Sequence, residues 1–432
     1  MAFSRKARAS KNSKFKSSTT VPVVATELSI PDQFRCPISL DLMKDPVTAP
    51  TGITYDRQSI ERWLEMGNST CPVTNLALNC HGLIPNHTIR RLIQDWCVSN
   101  RSHGVERIPT PRIPISQVDA FQILSDFSVA IKLQDEELGL ELVRKLRSLI
   151  KESERNRRSF LSIGAPIELA STFRACNPEA LVVLGEILTT LVCLLPFEDE
   201  ITMRELGTSE SLSSIVQIMK HGDISSRLNS VLMLKKMAST KEDHAKALAN
   251  HVSLIEALTG FIKEPISTQA TKASLAAIFY LISDDEKIAK KCVDLGLLHS
   301  TLEILVDSDK NMTEKALVIL DTLCNCKLGR EKACKHALTI PVLAKKMFRV
   351  SDMATEFAVS VLWKVCKNCK ESNCLVECLQ VGVFQKMLLL LQVGCSESTK
   401  EKASEMLKLM SSFSGKFECV DTMDFKGLNR IS

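Results

Sequence analysis

The stretch Ile30–Cys97 reads IPDQFRCPISLDLMKDPVTAPTGITYDRQSIERWLEMGNSTCPVTNLALNCHGLIPNHTIRRLIQDWC, and it carries two loops that each open on Cys-Pro, at Cys36-Pro37 and Cys71-Pro72. Between them, Thr51-Gly52 is turn chemistry and Ile53-Thr54-Tyr55 alternates as a short strand does. Asp56 stands as a helix N-cap, followed by Ile60, Trp63 and Leu64 on one helical face. Past the second loop, Ile89, Leu92, Ile93 and Trp96 recur at helical spacing and predict a closing helix. A domain of roughly seventy residues has a small core, so a metal or disulfide staple is the first thing to look for.

A zinc-binding RING needs about eight Cys/His ligands, usually as Cys-x2-Cys pairs. This stretch offers Cys36, Cys71, Cys80, His81, His87 and Cys97, with no such pair. Charged and hydrogen-bonding residues stand in their place: Asp45, Asp56, Arg57, Glu61, Asn86 and Arg90. With the run P-x-x-F-x-C-P-I, M-x-D-P-V, G-x-T-Y-[DE]-R, I-x-x-W-L, T-C-P and L-x-P-N-x-x-[IL]-[RK], the stretch resembles the U-box, the metal-free relative of the RING. No metal and no cofactor is expected.

The chain has 432 residues, 45% of them apolar and only 5% aromatic, so aliphatic side chains must carry a large core of helix on helix. A net charge of +5 demands neither a nucleic-acid nor a membrane partner. Sixteen cysteines are scattered through helical patterns with no secretory signal, which reads as buried reduced thiols in a cytoplasmic or nuclear protein. The most apolar stretch, Leu181 to Phe197, includes Glu186, Thr189 and Thr190, falls short of a bilayer span and reads as a buried helix.

Residues 1–28 are Ser-rich and basic, with no apolar core for a signal peptide. They read as a solvated tail; a nuclear-localisation patch, a peripheral membrane-binding patch and a kinase site around Ser10 are the sharper alternatives. The U-box-like domain takes 29–100, and three prolines with little periodicity make 101–118 a linker. From 119 to 413 the chain is continuous amphipathic helix. A turn followed by apolar residues recurs at Gly164, Gly207, Val252, Gly296, Leu338 and Gly382, at intervals of 43, 45, 44, 42 and 44 residues. That period indicates an α-solenoid of the HEAT or armadillo kind. The segments around Ile288–Leu305 and Val381–Leu391 look most like armadillo, in which a short helix turns into two longer antiparallel ones. A last helix pair near Glu397 to Phe413 is expected to cap the stack, and 414–432 reads as a loose tail.

The expected fold class is therefore mostly α: a small α+β U-box domain followed by an armadillo-like α-solenoid. This combination resembles the plant U-box/armadillo family of ubiquitin ligases. Such a ligase has no catalytic nucleophile. It docks a conjugating enzyme that carries ubiquitin as a thioester and restrains it near a substrate lysine, so that rate comes from proximity, worth several kcal/mol. The resemblance implies a docking patch of Ile38, Leu40, Trp63 and Pro72, with Asn75 in the slot of a polar residue that bonds both ubiquitin and the conjugating enzyme. Some members place Arg in that slot. Ile38, beside polar Ser39, is expected to be exposed, whereas Leu40 and Trp63 are shared between docking and core. Asp45, Asp56, Arg57, Glu61 and Asn86 are expected to be scaffold, and buried groups of that kind must be paired.

The implied partners are a ubiquitin-charged conjugating enzyme and, on the armadillo groove, a protein substrate or a receptor kinase. A U-box homodimer is left open. The alternative function is a non-catalytic armadillo scaffold with a dimerising U-box. Cys366-x2-Cys369-x4-Cys374-x3-Cys378 has a zinc-like look but shares a helical face with Leu362 inside a repeat. Lys235, Lys236, Lys290, Lys291, Lys345 and Lys346 read as solvated helix faces rather than a nucleic-acid site. Trp363 alone in the solenoid gives no Trp/Asn cargo ladder, and no Walker loop, GxSxG or HExxH occurs.

Overall fold

A computed structural model describes residues 29–414 apart from 79–82, 110–113, 198, 241, 284 and 369–372. The expectations for the two tails, for Cys80 and His81 and for Cys369 fall outside the described residues. The chain divides into two compact units, one ending at Ile113 and the other beginning at Pro114.

In the first unit three short strands, β1 (Pro46–Thr48), β2 (Thr54–Asp56) and β3 (Ile84–Pro85), form an antiparallel sheet in the order β2-β1-β3. Val47 faces Tyr55 on one side and Pro85 on the other. The β1–β2 hairpin closes through Gly52 N–H to Ala49 O at 2.8 Å. Gly52 sits at φ 82°, a left-handed position that costs glycine no Cβ clash. Helix α1 (Arg57–Glu65) buries Ile60, and α2 (His87–Ser99) buries Ile93 and Cys97. Phe34 meets Trp96 edge-on at 6.1 Å. Leu92, expected on the inward face of α2, is 46% exposed: the buried stripe runs through Ile93 and Cys97.

The division between the units falls inside the expected linker, 101–118, whose first half is packed on the first unit. Ile108 is only 5% exposed and belongs to the core of the first unit, and Arg90 Nη2 donates to Pro109 O at 3.0 Å. Proline-rich composition marked the segment, but one isoleucine folds its first half back onto the domain.

The second unit is helical throughout its described length. Helices α3 (Gln117–Lys132) and α4 (Glu136–Glu152) lead into six three-helix repeats. The first is α5 (Glu154–Ser162), α6 (Ala165–Ala175) and α7 (Leu181–Leu194), and the second is α8 (Glu200–Leu206), α9 (Ser209–His221) and α10 (Ile224–Thr240). Next come α11 (Glu242–Ala249), α12 (Val252–Lys263) and α13 (Thr268–Ile282), then α14 (Glu286–Asp294), α15 (Leu297–Val306) and α16 (Lys310–Leu323). The stack ends with α17 (Lys327–Lys335), α18 (Thr339–Lys346) and α19 (Asp352–Asn368), and with α20 (Asn373–Gln380), α21 (Val383–Val393) and α22 (Glu397–Ser414). The C-terminal element expected as a helix pair is the single helix α22, third member of the last repeat.

The recurring turn lies between the first and second helix of every repeat. Gly164, Gly296 and Gly382 take φ 77°, 84° and 76° there, whereas Gly207 is right-handed at −83° and Leu338 at −82°. Only half of these turns need glycine's freedom, which is why the repeat looks degenerate in sequence. Polar side chains close many helix starts: Ser116, Asp135, Ser153, Thr208, Ser267 and Asp309 each accept a main-chain N–H of the first turn.

Each repeat buries its apolar stripe against its neighbours in one continuous core from Ala120 to Met410. Successive third helices pack against one another more extensively than successive second helices do and form one continuous ladder, the arrangement expected of the inner face of a curved armadillo stack. At Gly185 of α7 the approach is so tight that a Cβ would come within 2.5 Å of Ser226 Oγ on α10.

No single described helix is long and apolar enough to cross a membrane. The most apolar stretch contains α7, and most of that helix is buried in the stack.

Candidate functional site

The two Cys-Pro loops of the first unit have the same main-chain construction. Cys36 N–H donates to Asp41 O at 2.8 Å, and Leu40 N–H returns to Cys36 O at 2.8 Å. In the second loop Cys71 N–H donates to Leu76 O at 2.8 Å, and Asn75 N–H returns to Cys71 O at 2.9 Å. Isolated bridges, Arg35 to Leu42 and Thr70 to Ala77, close the two bases. Both loops turn on a non-glycine residue in the left-handed region, Leu40 at φ 61° and Asn75 at φ 57°. For leucine this costs roughly 1–2 kcal/mol.

That geometry decides which side chains are presented. Leu40 is 64% exposed, and Asn75 is exposed with no side-chain hydrogen bond among the described residues. Ile38, expected to be exposed, is half-buried and packs against the core, as does Trp63. The order expected for the first loop is therefore reversed: the left-handed turn throws Leu40 outward and tucks Ile38 in. Trp63 Nε1 donates to Thr70 O at 2.8 Å, tying α1 to the base of the second loop. Pro72 is half-buried at the start of that loop.

The scaffold residues are paired across the elements they join. Asp45 Oδ2 accepts Arg57 Nε at 2.6 Å, and Glu61 lies 3.8 Å from Arg57 Nη1. Asp56 occupies the N-cap position of α1 but does not cap it. Its Oδ1 accepts the N–H groups of Lys44 and Asp45 at 2.8 and 2.9 Å, so it pins the start of β1 rather than the helix. Asn86 is the residue that caps: its Oδ1 accepts Ile89 N–H at 3.0 Å, while Nδ2 reaches Thr48 and Thr54 at 3.1 and 3.3 Å.

The two loop cysteines are fully buried hubs. Cys36 Sγ accepts Asp56 N–H at 3.3 Å. Around Cys71 Sγ converge the Tyr55 hydroxyl at 2.9 Å, the Thr51 hydroxyl at 3.4 Å and Thr74 N–H at 3.4 Å. Burial pushes the Cys71 thiol up, but bonds from Thr51, Thr74 and Tyr55 together outweigh it and bring it down to about 6. Burial and the bond to Cys71 push the Tyr55 hydroxyl above its usual value. Sequence reasoning weighed these thiols as metal ligands and as buried reduced cysteines, not as hydrogen-bond hubs. The signal it passed over is that both loops keep a cysteine although the other ligands are missing. Cys97 is buried in α2 and His87 is exposed, so among the described residues no three His, Cys, Asp or Glu side chains converge as metal ligands.

In the second unit, Cys366 and Cys378 face each other at 3.7 Å and Cys334 and Cys374 at 3.0 Å. Cys324 and Cys326 flank the junction of α16 and α17. Trp363 Nε1 donates to Glu405 Oε2 at 2.6 Å, with Lys367 Nζ 4.5 Å from the ring centroid, so this indole binds the next repeat.

Family models place these two units without overlap. Residues 30–102 match the U-box domain, and residues 122–429 match the plant U-box protein ARM repeat region. The chain belongs to the plant U-box/armadillo-repeat family. It is 38% identical over 409 residues to U-box domain-containing protein 21 of Arabidopsis thaliana, covering 94% of each chain. It is 40% identical to U-box domain-containing protein 20 of that organism, over 89% of this chain and 87% of the relative. It is also 36% identical to the Arabidopsis thaliana E3 ubiquitin-protein ligase PUB23, over 90% of this chain and 94% of that one. Among solved structures, an engineered protein superposes with a TM-score of 0.51 at 14% identity, covering 68% of this chain and 69% of that one, which is a likeness of fold alone.

Proposed function

We propose that Ile38, Leu40, Trp63, Pro72 and Asn75 form the surface on which a ubiquitin-charged conjugating enzyme docks, while the inner face of the armadillo stack holds the protein that receives ubiquitin. The activity served is that of a U-box ubiquitin-protein ligase. The observation that carries the docking assignment is the matched pair of loops, whose outward side chains flank a tryptophan bonded to the second loop. No acid, base or nucleophile is asked of this surface. Its task is to hold the thioester in a narrow range of poses, and proximity of that kind is worth several kcal/mol. Asn75 presents an amide that can donate to a carbonyl of ubiquitin or of the conjugating enzyme, with fewer donors than a guanidinium in the same place. Cytoplasmic residence accords with the many buried free thiols.

Leu40→Ala is the cleanest test, because Leu40 is exposed and lies outside the core cluster. Surface substitutions stay within about 0.5 kcal/mol of stability, whereas loss of an interface anchor costs about 1–3 kcal/mol of binding. Single-turnover discharge of ubiquitin from the conjugating enzyme to free lysine should therefore fall about tenfold or more at an unchanged melting temperature. Ile38→Ala should lose discharge and, being half-buried, some stability as well. Normal discharge from both folded variants would remove the docking assignment.

A further inference from the structure

The two Cys-Pro loops correspond position by position. The bridged bases, Arg35 with Leu42 and Thr70 with Ala77, answer to each other, and beyond them Met43 N–H and Leu78 N–H close on Phe34 O and Ser69 O at 2.9 and 2.8 Å. Within that frame Leu40 answers to Asn75, both left-handed. Asp41 answers to Leu76: their carbonyls accept the N–H groups of Cys36 and Cys71, each at 2.8 Å. The same main-chain bond is thus made by an acid in one loop and by an aliphatic residue in the other. Loop construction requires neither side chain, so the leucine at 76 is not demanded by the fold.

Leu76 is nevertheless 60% exposed, and Val73, on the other side of Asn75 in the loop, is 52% exposed. A single exposed leucine is ordinary on a protein surface. Here two apolar side chains bracket an exposed amide that makes no side-chain hydrogen bond among the described residues. The main chain beneath them is locked, by the bond from Cys71 to Leu76 O on one side and by buried Leu78 on the other. A side chain on so fixed a backbone gives up little freedom when a partner covers it. Apolar cover on both sides of an amide also keeps water from whatever bond that amide makes, which strengthens the bond.

We propose that Leu76 contacts the ubiquitin carried by the conjugating enzyme and, with Val73, shields the bond of Asn75 to that conjugate from water. The inference rests on the docking reading of the two loops and adds a ubiquitin-facing residue to it. Order along the loop sets the direction: Pro72 lies on the side of the enzyme, Asn75 at the boundary between enzyme and ubiquitin, and Leu76 beyond it. The shielding offsets the smaller number of donors that an amide has in place of a guanidinium. Leu76 thereby distinguishes the ubiquitin-charged conjugate from the bare enzyme.

The test uses the full chain and one conjugating enzyme that the native chain stimulates in discharge. The enzyme is presented bare, and also with its catalytic cysteine replaced by lysine so that ubiquitin is joined to it through a stable amide. In Leu76→Ser, affinity for the bare enzyme should stay within about twofold, whereas affinity for the ubiquitin-linked enzyme and single-turnover discharge to free lysine should each fall about fivefold or more. Leu76→Met keeps most of the apolar surface and should retain most of the discharge that Leu76→Ser loses. Because Leu76 is exposed, the melting temperature should not move. Asn75→Ala should cost less discharge in the Leu76→Ser chain than in the native one, because the amide's bond is then already open to water. Equal losses for the bare and the linked enzyme would place Leu76 on the enzyme and overturn the proposal, as would unchanged discharge or independent effects of the two substitutions. If Leu40→Ala leaves affinity for the bare enzyme intact, the docking reading falls and this inference with it. If Leu40→Ala weakens that affinity and Leu76→Ser changes nothing, only the ubiquitin contact falls.

Discussion

Cys71 shows how much of the proposed docking surface is held by a fully buried residue. Its sulfur gathers bonds from the β1–β2 hairpin, from strand β2 and from its own loop, so the loop cannot shift without breaking several of them. The arrangement has a pH signature. The free thiol titrates near 9.0 and the folded one near 6, so the unfolded chain binds more protons between those values. The stabilisation is complete above pH 9, declines as pH falls, and is gone below about 6. Melting of the U-box, followed by tryptophan fluorescence, should therefore occur at a lower temperature at pH 6 than at pH 8.5. In Cys71→Ser, which does not titrate there, the two temperatures should draw together. An equal pH dependence in both proteins would assign the effect to other groups. The same residue scale marks a limit of sequence reading. Asp56 has every local mark of a helix cap, yet its carboxylate serves Lys44 and Asp45, twelve and eleven residues earlier in the chain, and only the fold brings them within reach.

At the scale of elements, the periodicity of the chain carried most of the information. Third-helix stripes such as Ala270, Ser274, Ala277 and Leu281 are legible because burial repeats with the helical turn. The position of the repeating turn was legible too, even where valine or leucine replaces glycine, because the apolar residues after it keep their spacing. Gly185 was not legible: inside an apolar helix it looks like a local weakness, and its meaning comes from a serine forty-one residues later in the chain. Gly185→Ala would gain helix propensity of about 1 kcal/mol. It would also place a methyl group against Ser226, and overpacking of that kind costs about 1–3 kcal/mol. The clash should win. Calorimetry should find the solenoid destabilised by up to about 2 kcal/mol, and Ser226→Ala in the same chain should restore part of that loss. A more stable Gly185→Ala protein would show that α7 and α10 separate at no cost.

At the scale of the whole molecule, the division between the units, after Ile113, falls within the linker expected at 101–118, but part of that linker is folded. Composition sees prolines; it does not see that Ile108 is buried or that Arg90 holds Pro109. The second unit's first ties are equally specific: Ile115 N–H donates to Asn156 Oδ1 at 3.0 Å, and Ser116 caps α3. A fragment beginning at residue 110 retains Ile115 as a peptide amide and should be soluble, highly helical by circular dichroism and cooperative in melting. A fragment beginning at Ile115 turns that donor into a charged terminus and should melt lower. If the longer fragment is insoluble while the full chain is not, the second unit does not fold by itself.

The reciprocal construction of the two Cys-Pro loops has a consequence for how this surface can change over time. Each loop is closed by main-chain bonds between its cysteine and the residues four and five positions on, and its cysteine is anchored by groups outside the loop's tip. The outward side chains of Leu40, Val73 and Asn75 are thus left out of the bonds that hold the loops. Selection can exchange them one at a time, which on the proposed docking role would retune the choice of conjugating enzyme, while inheritance of the fold is left to the buried residues beneath.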